Sequence, residues 1–263
     1  MAVALASPVR VRELIDHAPA GVFLDLDGTL SRIAPTPFEA TVSERAVAAL
    51  ERLAARVARL TFISGRTPAD AASMVGLLGP NIAYVGNHGL SLLLDGKDQT
   101  PPEALAFVET VDRLTDELSD LLDIPGILFE PRTPVLSIHY RLAADHDAAR
   151  EAILHRIAES PEAGVLTLQE GRRVIELRPP LLINKGSTLQ QLAQDWGLRA
   201  VLMAGDDITD ISAFEALRYL REQEGLHTIS IAVLGQDTDP SVAAAADYTL
   251  DGVDAVEDLL EQI

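Results

Sequence analysis

The chain has 263 residues, 48% of them apolar and 23% charged, and it contains no cysteine. At roughly 100–200 residues per domain, that length is one large or two modest domains; zero cysteine excludes disulfides, thiolate metal sites and a cysteine nucleophile. With 21 Lys and Arg against 40 Asp and Glu, the net charge of −19 opposes phosphate backbones and anionic lipid surfaces. No apolar run reaches the ~18 residues of a membrane span, and the stretch from Met1 to Arg10 lacks the basic region of a signal peptide. The expectation is a cytoplasmic monomer or weak homo-oligomer that takes a small molecule, not nucleic acid or membrane.

Gly21–Leu24, Arg59–Ile63 and Ile82–Val85 are short, continuously apolar runs, each ending in a polar, Gly-containing cluster. Such runs suit strands covered by helices on both faces of a parallel sheet. Between the first two, Ser43–Arg56 reads as a helix with Ser43 as N-cap and apolar Val47, Leu50, Leu53 and Ala54 on one side. The pattern then changes. Glu103–Leu122 reads as one long helix and Asp145–Glu159 as a second. Around them Ile127–Glu130, Val135–Arg141, Val165–Gln169 and Arg173–Arg178 read as strands, with Glu170-Gly171 as the turn before the last. That αββαββ order predicts an antiparallel sheet backed by two helices on one face. Beyond it, Lys185–Trp196 and Ile211–Leu220 read as helices, and Ala200–Met203 and Ile229–Val233 as further strands.

The expected fold class is therefore α/β: a doubly wound, Rossmann-like parallel-sheet core carrying an inserted smaller α/β domain. Polar or Pro-rich segments, Asp95–Pro102 and Arg178–Leu181, mark the crossings. The boundaries place residues 1–96 and 182–263 in the core and 97–181 in the insertion.

Four motifs sit at strand ends or helix starts. Asp25–Leu30 (D-L-D-G-T-L) puts two carboxylates two residues apart after the first strand, where doubly wound sheets bind ligands. Ser64-Gly65-Arg66 follows the second strand, offering a hydroxyl and a guanidinium suited to phosphate oxygens. Lys185-Gly186 starts a helix, where a lysine opposes the macrodipole and serves better as a phosphate contact. Gly205–Asp210 (G-D-D-I-T-D) gathers acids that repel one another unless a cation binds, and hard oxygen donors suit Mg²⁺. Singly, each has a plainer reading: a D-G turn, an S-G turn, a solvated lysine, an N-capping acid. Asp206 or Asp207 as a cap explains one or two of those acids, not all three.

In this order the motifs resemble the haloacid dehalogenase superfamily of phosphotransferases. The resemblance implies that Asp25 is a nucleophile forming an aspartyl-phosphate and that Asp27 is the acid/base serving the leaving alcohol. It also implies that Ser64 and Lys185 hold the phosphoryl group. Asp206 would ligate Mg²⁺ with Asp25 and the Asp27 carbonyl, and Asp210 would support that shell. An insertion between Ser64 and Lys185 resembles the α/β-capped sugar phosphatases of the superfamily.

Finer motifs are similar to the trehalose-6-phosphate phosphatase family: Gly86-Asn87-His88-Gly89, Glu130-Pro131-Arg132, Ser137-Ile138-His139-Tyr140-Arg141 and the run Gly171–Pro180. This resemblance implies that Glu130, Arg132, Arg141 and Glu176 face sugar hydroxyls from the cap, with Arg66, Asn87 and His88 on the core side. Two positions depart from the family pattern: Arg132 stands where Lys is usual, and Asn184 where an acid is usual. The implied activity is Mg²⁺-dependent hydrolysis of trehalose 6-phosphate. The alternatives are another glycosyl phosphate as substrate (sucrose phosphate, a mannosyl- or glucosylglycerate phosphate, a trehalose-like pseudo-disaccharide phosphate) or a sugar-phosphate-binding protein without turnover.

Overall fold

A computed structural model describes residues 4–132, 134–171 and 173–263. The opening Met1–Val3, and Arg172 of the Gly171–Pro180 run, lie outside the described residues. The chain divides into two compact units, one reaching Gln99 and resuming at Ile183, the other spanning Thr100–Leu182. In chain order the strands are β1 (Ala4–Leu5), β2 (Ala20–Leu24), β3 (Arg59–Ile63), β4 (Ile82–Gly86), β5 (Ser91–Leu94) and β6 (Lys97–Asp98). Then come β7 (Leu128–Arg132), β8 (Val135–His139), β9 (Thr167–Gly171), β10 (Val174–Arg178), β11 (Ala200–Gly205), β12 (His227–Val233) and β13 (Tyr248–Leu250). The helices are α1 (Pro8–Ile15), α2 (Glu44–Ala54), α3 (Pro68–Val75), α4 (Pro102–Leu105) and α5 (Val108–Glu117). They continue as α6 (His146–Glu159), α7 (Lys185–Asp195), α8 (Ile208–Glu224), α9 (Pro240–Ala245) and α10 (Gly252–Gln262).

The larger sheet runs β1-β13-β12-β11-β2-β3-β4-β5-β6. It is parallel from β1 to β4 and antiparallel at β5 and β6. Its central strands β2 and β11 are apolar throughout because both faces are covered. Val22, Leu24, Leu60, Phe62 and Leu202 pack with Leu50 and Leu53 of α2, Leu14 of α1 and Leu259 of α10. Phe23, Ile63, Val201 and Met203 turn the other way, onto Leu189 of α7 and Phe214 and Leu217 of α8. Ser43 caps α2 as expected, its hydroxyl accepting from the Ala46 N–H at 3.0 Å. The strand β2 lies between β3, the next parallel strand in sequence, and β11, which the chain reaches only after the second unit. That reversal makes the carboxyl ends of β2, β3 and β11 the ligand-binding edge of the sheet.

The second unit carries an antiparallel sheet in the order β7-β8-β10-β9. One face packs Leu136, Ile138, Ile175 and Leu177 against Val111 and Leu114 of α5 and Ile153 and Ile157 of α6. By the two-residue period the other face bears Glu130, Ser137, Glu176 and Gln169 as one cross-strand row.

The fold class is the one expected, but several local readings are corrected. The expected single helix Glu103–Leu122 is broken into α4, α5 and a 3-10 turn at Ser119–Asp123. The tighter turn, with Leu121 N–H bonding to the Leu118 carbonyl at 3.0 Å, accompanies burial of both leucines. Glu170 and Gly171 are not a turn; they pair with Ile175 and Val174. The reversal comes two residues later, where Arg173 adopts φ +62°. Strand β8 stops at His139, so Arg141 falls in the following turn. Part of the expected crossing Asp95–Pro102 is a hairpin: Asp95 and Gly96, at φ +52° and +71°, join β5 to β6.

Candidate active site

Asp25 stands one residue past β2, with its N–H bonded to the Ala204 carbonyl of β11 at 2.9 Å. Gly28 closes the turn at φ +95°, and a Cβ there would overlap the Asp206 carboxylate. The D-x-D-G motif therefore requires its glycine so that the loop after β2 can approach the acid after β11. Thr29, fully buried, sends its hydroxyl toward Asp206 Oδ1 at 3.5 Å. Sequence reasoning assigned no role to Thr29, although it lies inside the motif.

Lys185 crosses from the first turn of α7 into this edge. Its Nζ donates to Asp25 Oδ1 at 2.7 Å and to Asp210 Oδ1 at 2.6 Å, and all three side chains are buried. Asp210 is held from its other side as well, its Oδ2 accepting from the Asp207 N–H at 2.9 Å. Both of its oxygens are thus engaged within the protein. The helix start itself is fixed by Asn184, whose Oδ1 accepts from the Ser187 N–H at 2.9 Å while its own N–H reaches Ser187 Oγ at 3.0 Å. An amide caps a helix as well as an acid does, which explains the departure at this position.

Burial pushes the Asp25 carboxyl well above the ordinary range; Lys185 opposes this, and Asp210 and Asp206 reinforce it. Burial lowers Lys185, but the carboxylates of Asp210 and Asp25 outweigh it and hold the ammonium above its ordinary value. Asp25, Asp206 and Asp210 can each offer one oxygen within 4.8 Å of the others. Three buried carboxylates this close repel one another, and the donors are all hard oxygens. The residues present fit a small divalent cation such as Mg²⁺.

Asp27 is not in that cluster. Its carboxylate faces Arg66, whose Nε and Nη2 donate to Oδ2 and Oδ1, both at 2.7 Å. Ser64 is buried at the end of β3, and its Oγ accepts from the Arg66 N–H at 3.2 Å. Asn87 and His88 follow β4 in left-handed conformation, at φ +51° and +54°. Their N–H groups bond to the carbonyls of Arg66 and Ser64 at 2.9 and 3.0 Å. The His88 ring lies against Gly65, where a Cβ would collide with it. Asn87 is buried, with Nδ2 on Ser91 Oγ at 3.3 Å and Oδ1 without a hydrogen-bond partner among the described residues.

In the second unit Glu130 accepts from Arg132 Nη2, and its Oε2 lies 2.8 Å from His139 Nε2. Burial raises Glu130, but the His139 hydrogen bond and the Arg132 charge overcome it and hold the carboxyl at about 2. Arg132 Nη1 is 3.8 Å from Glu176 Oε1, and Ser137 Oγ donates to the same oxygen at 3.2 Å. So Glu130, Arg132 and Glu176 come together, with Ser137 and His139 as members the sequence reading left unassigned. The signal was present: Val135, Ser137 and His139 alternate onto the face that carries Glu130. Arg178, also unassigned, donates to Gln169 Oε1 at 3.2 Å, and burial holds it below its ordinary value against Glu176. Arg141 is half-buried in its turn, where its carbonyl meets His146 Nε2 at 3.0 Å.

A family model described as trehalose-phosphatase matches residues 23–254. The chain is similar to the trehalose-phosphate phosphatase of Mycobacterium avium (strain 104), 39% identical over 204 residues that cover 75% of this chain and 51% of that protein. Against the trehalose-phosphate phosphatase of Mycobacterium tuberculosis (strain ATCC 25618 / H37Rv) it is 35% identical over 257 residues, covering 95% and 62%. The chain thus spans about half the length of the first of these relatives. The C-terminal domain of a C. albicans trehalose-6-phosphate phosphatase shares the fold, with a TM-score of 0.78 at 20% identity, covering 99% of this chain and 97% of that one.

Proposed function

The chain belongs to the trehalose-phosphatase family, and from that premise we propose that it hydrolyses trehalose 6-phosphate to trehalose and phosphate. The observation that carries this reading is the placement of Lys185 between Asp25 and Asp210, next to Asp206. A carboxylate is a poor nucleophile toward a phosphate dianion until positive charge surrounds both. Asp25, Asp206 and the Asp27 carbonyl are the groups that would hold Mg²⁺, with Asp210 fixing Lys185 beside them. When bound, the ion supplies charge neutralisation at the phosphoryl oxygens.

In this reading an Asp25 carboxylate oxygen attacks phosphorus, and the bond from phosphorus to the sugar oxygen breaks. That oxygen takes its proton from the Asp27 carboxyl and leaves as the sugar hydroxyl. Water then attacks the aspartyl-phosphate, gives a proton to Asp27, and releases phosphate with Asp25 restored. Ser64 and Lys185 hold the phosphoryl oxygens, with Asn87 and His88 as further polar contacts. Glu130, Arg132 and Glu176 read sugar hydroxyls, which charged acceptors and donors bind with strong directional preference. Arg141 joins this group from the turn after β8. A cytoplasmic location is part of this proposal; no helix among the described residues is long and apolar enough to cross a membrane.

Phosphate release across a panel of mono- and disaccharide phosphates tests the reading. Trehalose 6-phosphate is expected to give the highest kcat/KM; EDTA is expected to silence the reaction, Mg²⁺ to restore it and Ca²⁺ to restore little. A preference for sucrose phosphate or a glycosylglycerate phosphate would replace the substrate. Full activity with EDTA, or equal activity with Ca²⁺, would overturn the metal assignment.

The sugar-reading residues have their own test. Glu130→Ala removes the partner of both Arg132 and His139, and Glu176→Ala removes that of Ser137. Each loses charge-assisted hydrogen bonds of about 1.5–3 kcal/mol and strands the groups left behind. Steady-state kinetics are expected to show kcat/KM for trehalose 6-phosphate falling roughly 10–1000-fold, with p-nitrophenyl phosphate turnover retained. Equal losses on both substrates would remove these residues from sugar recognition.

A further inference from the structure

Arg66 follows the strand-end serine, and a guanidinium there is well suited to a phosphate dianion. The geometry commits it elsewhere. The edge of the guanidinium formed by Nε and Nη2 makes two parallel bonds of 2.7 Å to the two oxygens of Asp27. This fork is the arrangement in which an arginine fixes the plane of a carboxyl group as well as its position.

The two partners are unequal. The Arg66 side chain is 8% exposed and that of Asp27 is 38% exposed. Arg66 is also tied along its backbone, its N–H to Ser64 Oγ at 3.2 Å and its carbonyl to the Asn87 N–H at 2.9 Å. It is therefore the fixed member of the pair, anchored to the carboxyl ends of β3 and β4. Asp27 is the member that is held. It sits on the loop after β2, two residues beyond Asp25, with χ1 and χ2 to be restrained. An ordinary surface ion pair, with both partners in water, would contribute little. A buried, backbone-anchored fork gripping a half-exposed carboxyl is a different device.

We infer that Arg66 is the positioning residue for Asp27, fixing the carboxyl that serves the leaving sugar oxygen, rather than a direct phosphate contact. The inference rests on the reading of Asp27 as the acid/base, and it adds the group that gives that carboxyl its place. General acid assistance depends on hydrogen-bond geometry to the leaving oxygen, so a carboxyl free to rotate gives up part of it. In the first step, transfer of the phosphoryl group to Asp25, a leaving group that needs no proton is indifferent to the loss; the second step is common to both substrates. Sugar alkoxide is the demanding case and p-nitrophenolate the indifferent one.

The test is a double-mutant cycle of Asp27→Ala and Arg66→Ala, read as rapid-quench rates of first-step leaving-group release from trehalose 6-phosphate and from p-nitrophenyl phosphate with Mg²⁺ present. Arg66→Ala is expected to lower the first-step rate on the sugar phosphate by roughly 10–100-fold, a part of the full acid contribution. KM and the first-step rate of p-nitrophenol release are expected to stay within about threefold, and that second rate reports that the fold is intact. In the Asp27→Ala background, removing Arg66 is expected to change the ratio of the two activities no further. Arg66→Gln, which keeps length and one donor, covers the case in which the alanine variant does not fold and is expected to shift the ratio in the same direction. Equal losses on both substrates with raised KM would make Arg66 a phosphate ligand and overturn the inference. Losses that multiply with those of Asp27→Ala would overturn it too. If Asp27→Ala alone leaves the ratio unchanged, the acid/base reading itself fails, and the positioning role falls with it. That outcome is recognised from the single variant.

Discussion

Asp25→Asn is expected to abolish turnover, lowering kcat by about 10⁴–10⁶-fold, the scale at which loss of a covalent nucleophile is felt. The amide is nearly isosteric, so the loop after β2 and its N–H bond to Ala204 should persist. Stability should move the other way. Burial raises the Asp25 carboxyl above its ordinary value, Lys185 opposes, and Asp210 and Asp206 reinforce. A raised folded value means that ionising Asp25 costs folding free energy as pH rises above the unfolded value. At neutral pH and without metal, Asn removes that cost. Urea unfolding of the metal-free variant is expected to show a midpoint equal to or above that of the unsubstituted chain. Appreciable turnover by a homogeneous preparation would contradict the nucleophile assignment.

Lys185→Met is expected to be the most damaging substitution for the fold. It leaves Asp25 and Asp210 buried without the ammonium that bridges them, while nearly conserving volume. Removing one member of a buried pair costs about 3–5 kcal/mol, because the remaining charge has neither water nor partner. Urea unfolding without metal should show that loss. Added Mg²⁺ should recover part of it, since a cation binding only the folded state stabilises by mass action. Turnover should be lost as well. A metal-free midpoint unchanged from that of the unsubstituted chain would mean that Lys185 does not compensate these carboxylates.

Much of the core is legible in the sequence because buried parallel strands leave an unusual trace. Gly21–Leu24 and Ala200–Met203 are apolar on both faces, Arg59–Ile63 is so apart from Arg59 and Thr61, and each ends where the chain becomes polar. An acid or hydroxyl at such an end is placed by topology alone, which is why Asp25, Ser64 and Asp206 could be grouped before any contact was known. Short elements leave less. Strands β1, β5, β6 and β13 have four residues or fewer, too few for either period to register. Asp95-Gly96 carries a hairpin signal, but with Pro101-Pro102 close behind it the whole stretch has the composition of a linker. The break in the Glu103–Leu122 helix has no Gly or Pro to announce it; tertiary packing of Leu118 and Leu121 decides it.

Side-chain pairing was the least legible level. Arg66 and Asp27 come from the ends of different strands, and each has an obvious alternative partner in phosphate or metal chemistry. Only the register of β2 against β3 brings their loops together. His139 is the reverse case: its alternation was visible, and what was missing was the knowledge that Glu130 stands across the sheet from Ser137.

Trapping the phosphoryl group on the protein tests the account most directly. An Asp27→Asn variant, given p-nitrophenyl phosphate and Mg²⁺, can still phosphorylate Asp25 because the leaving group needs no proton. It lacks the base for the second step. After acid quench, mass spectrometry is expected to find one added phosphoryl group per chain, on the peptide that contains Asp25. Release of p-nitrophenol with the phosphoryl group on another residue, or sustained turnover with none ever on Asp25, would contradict the account.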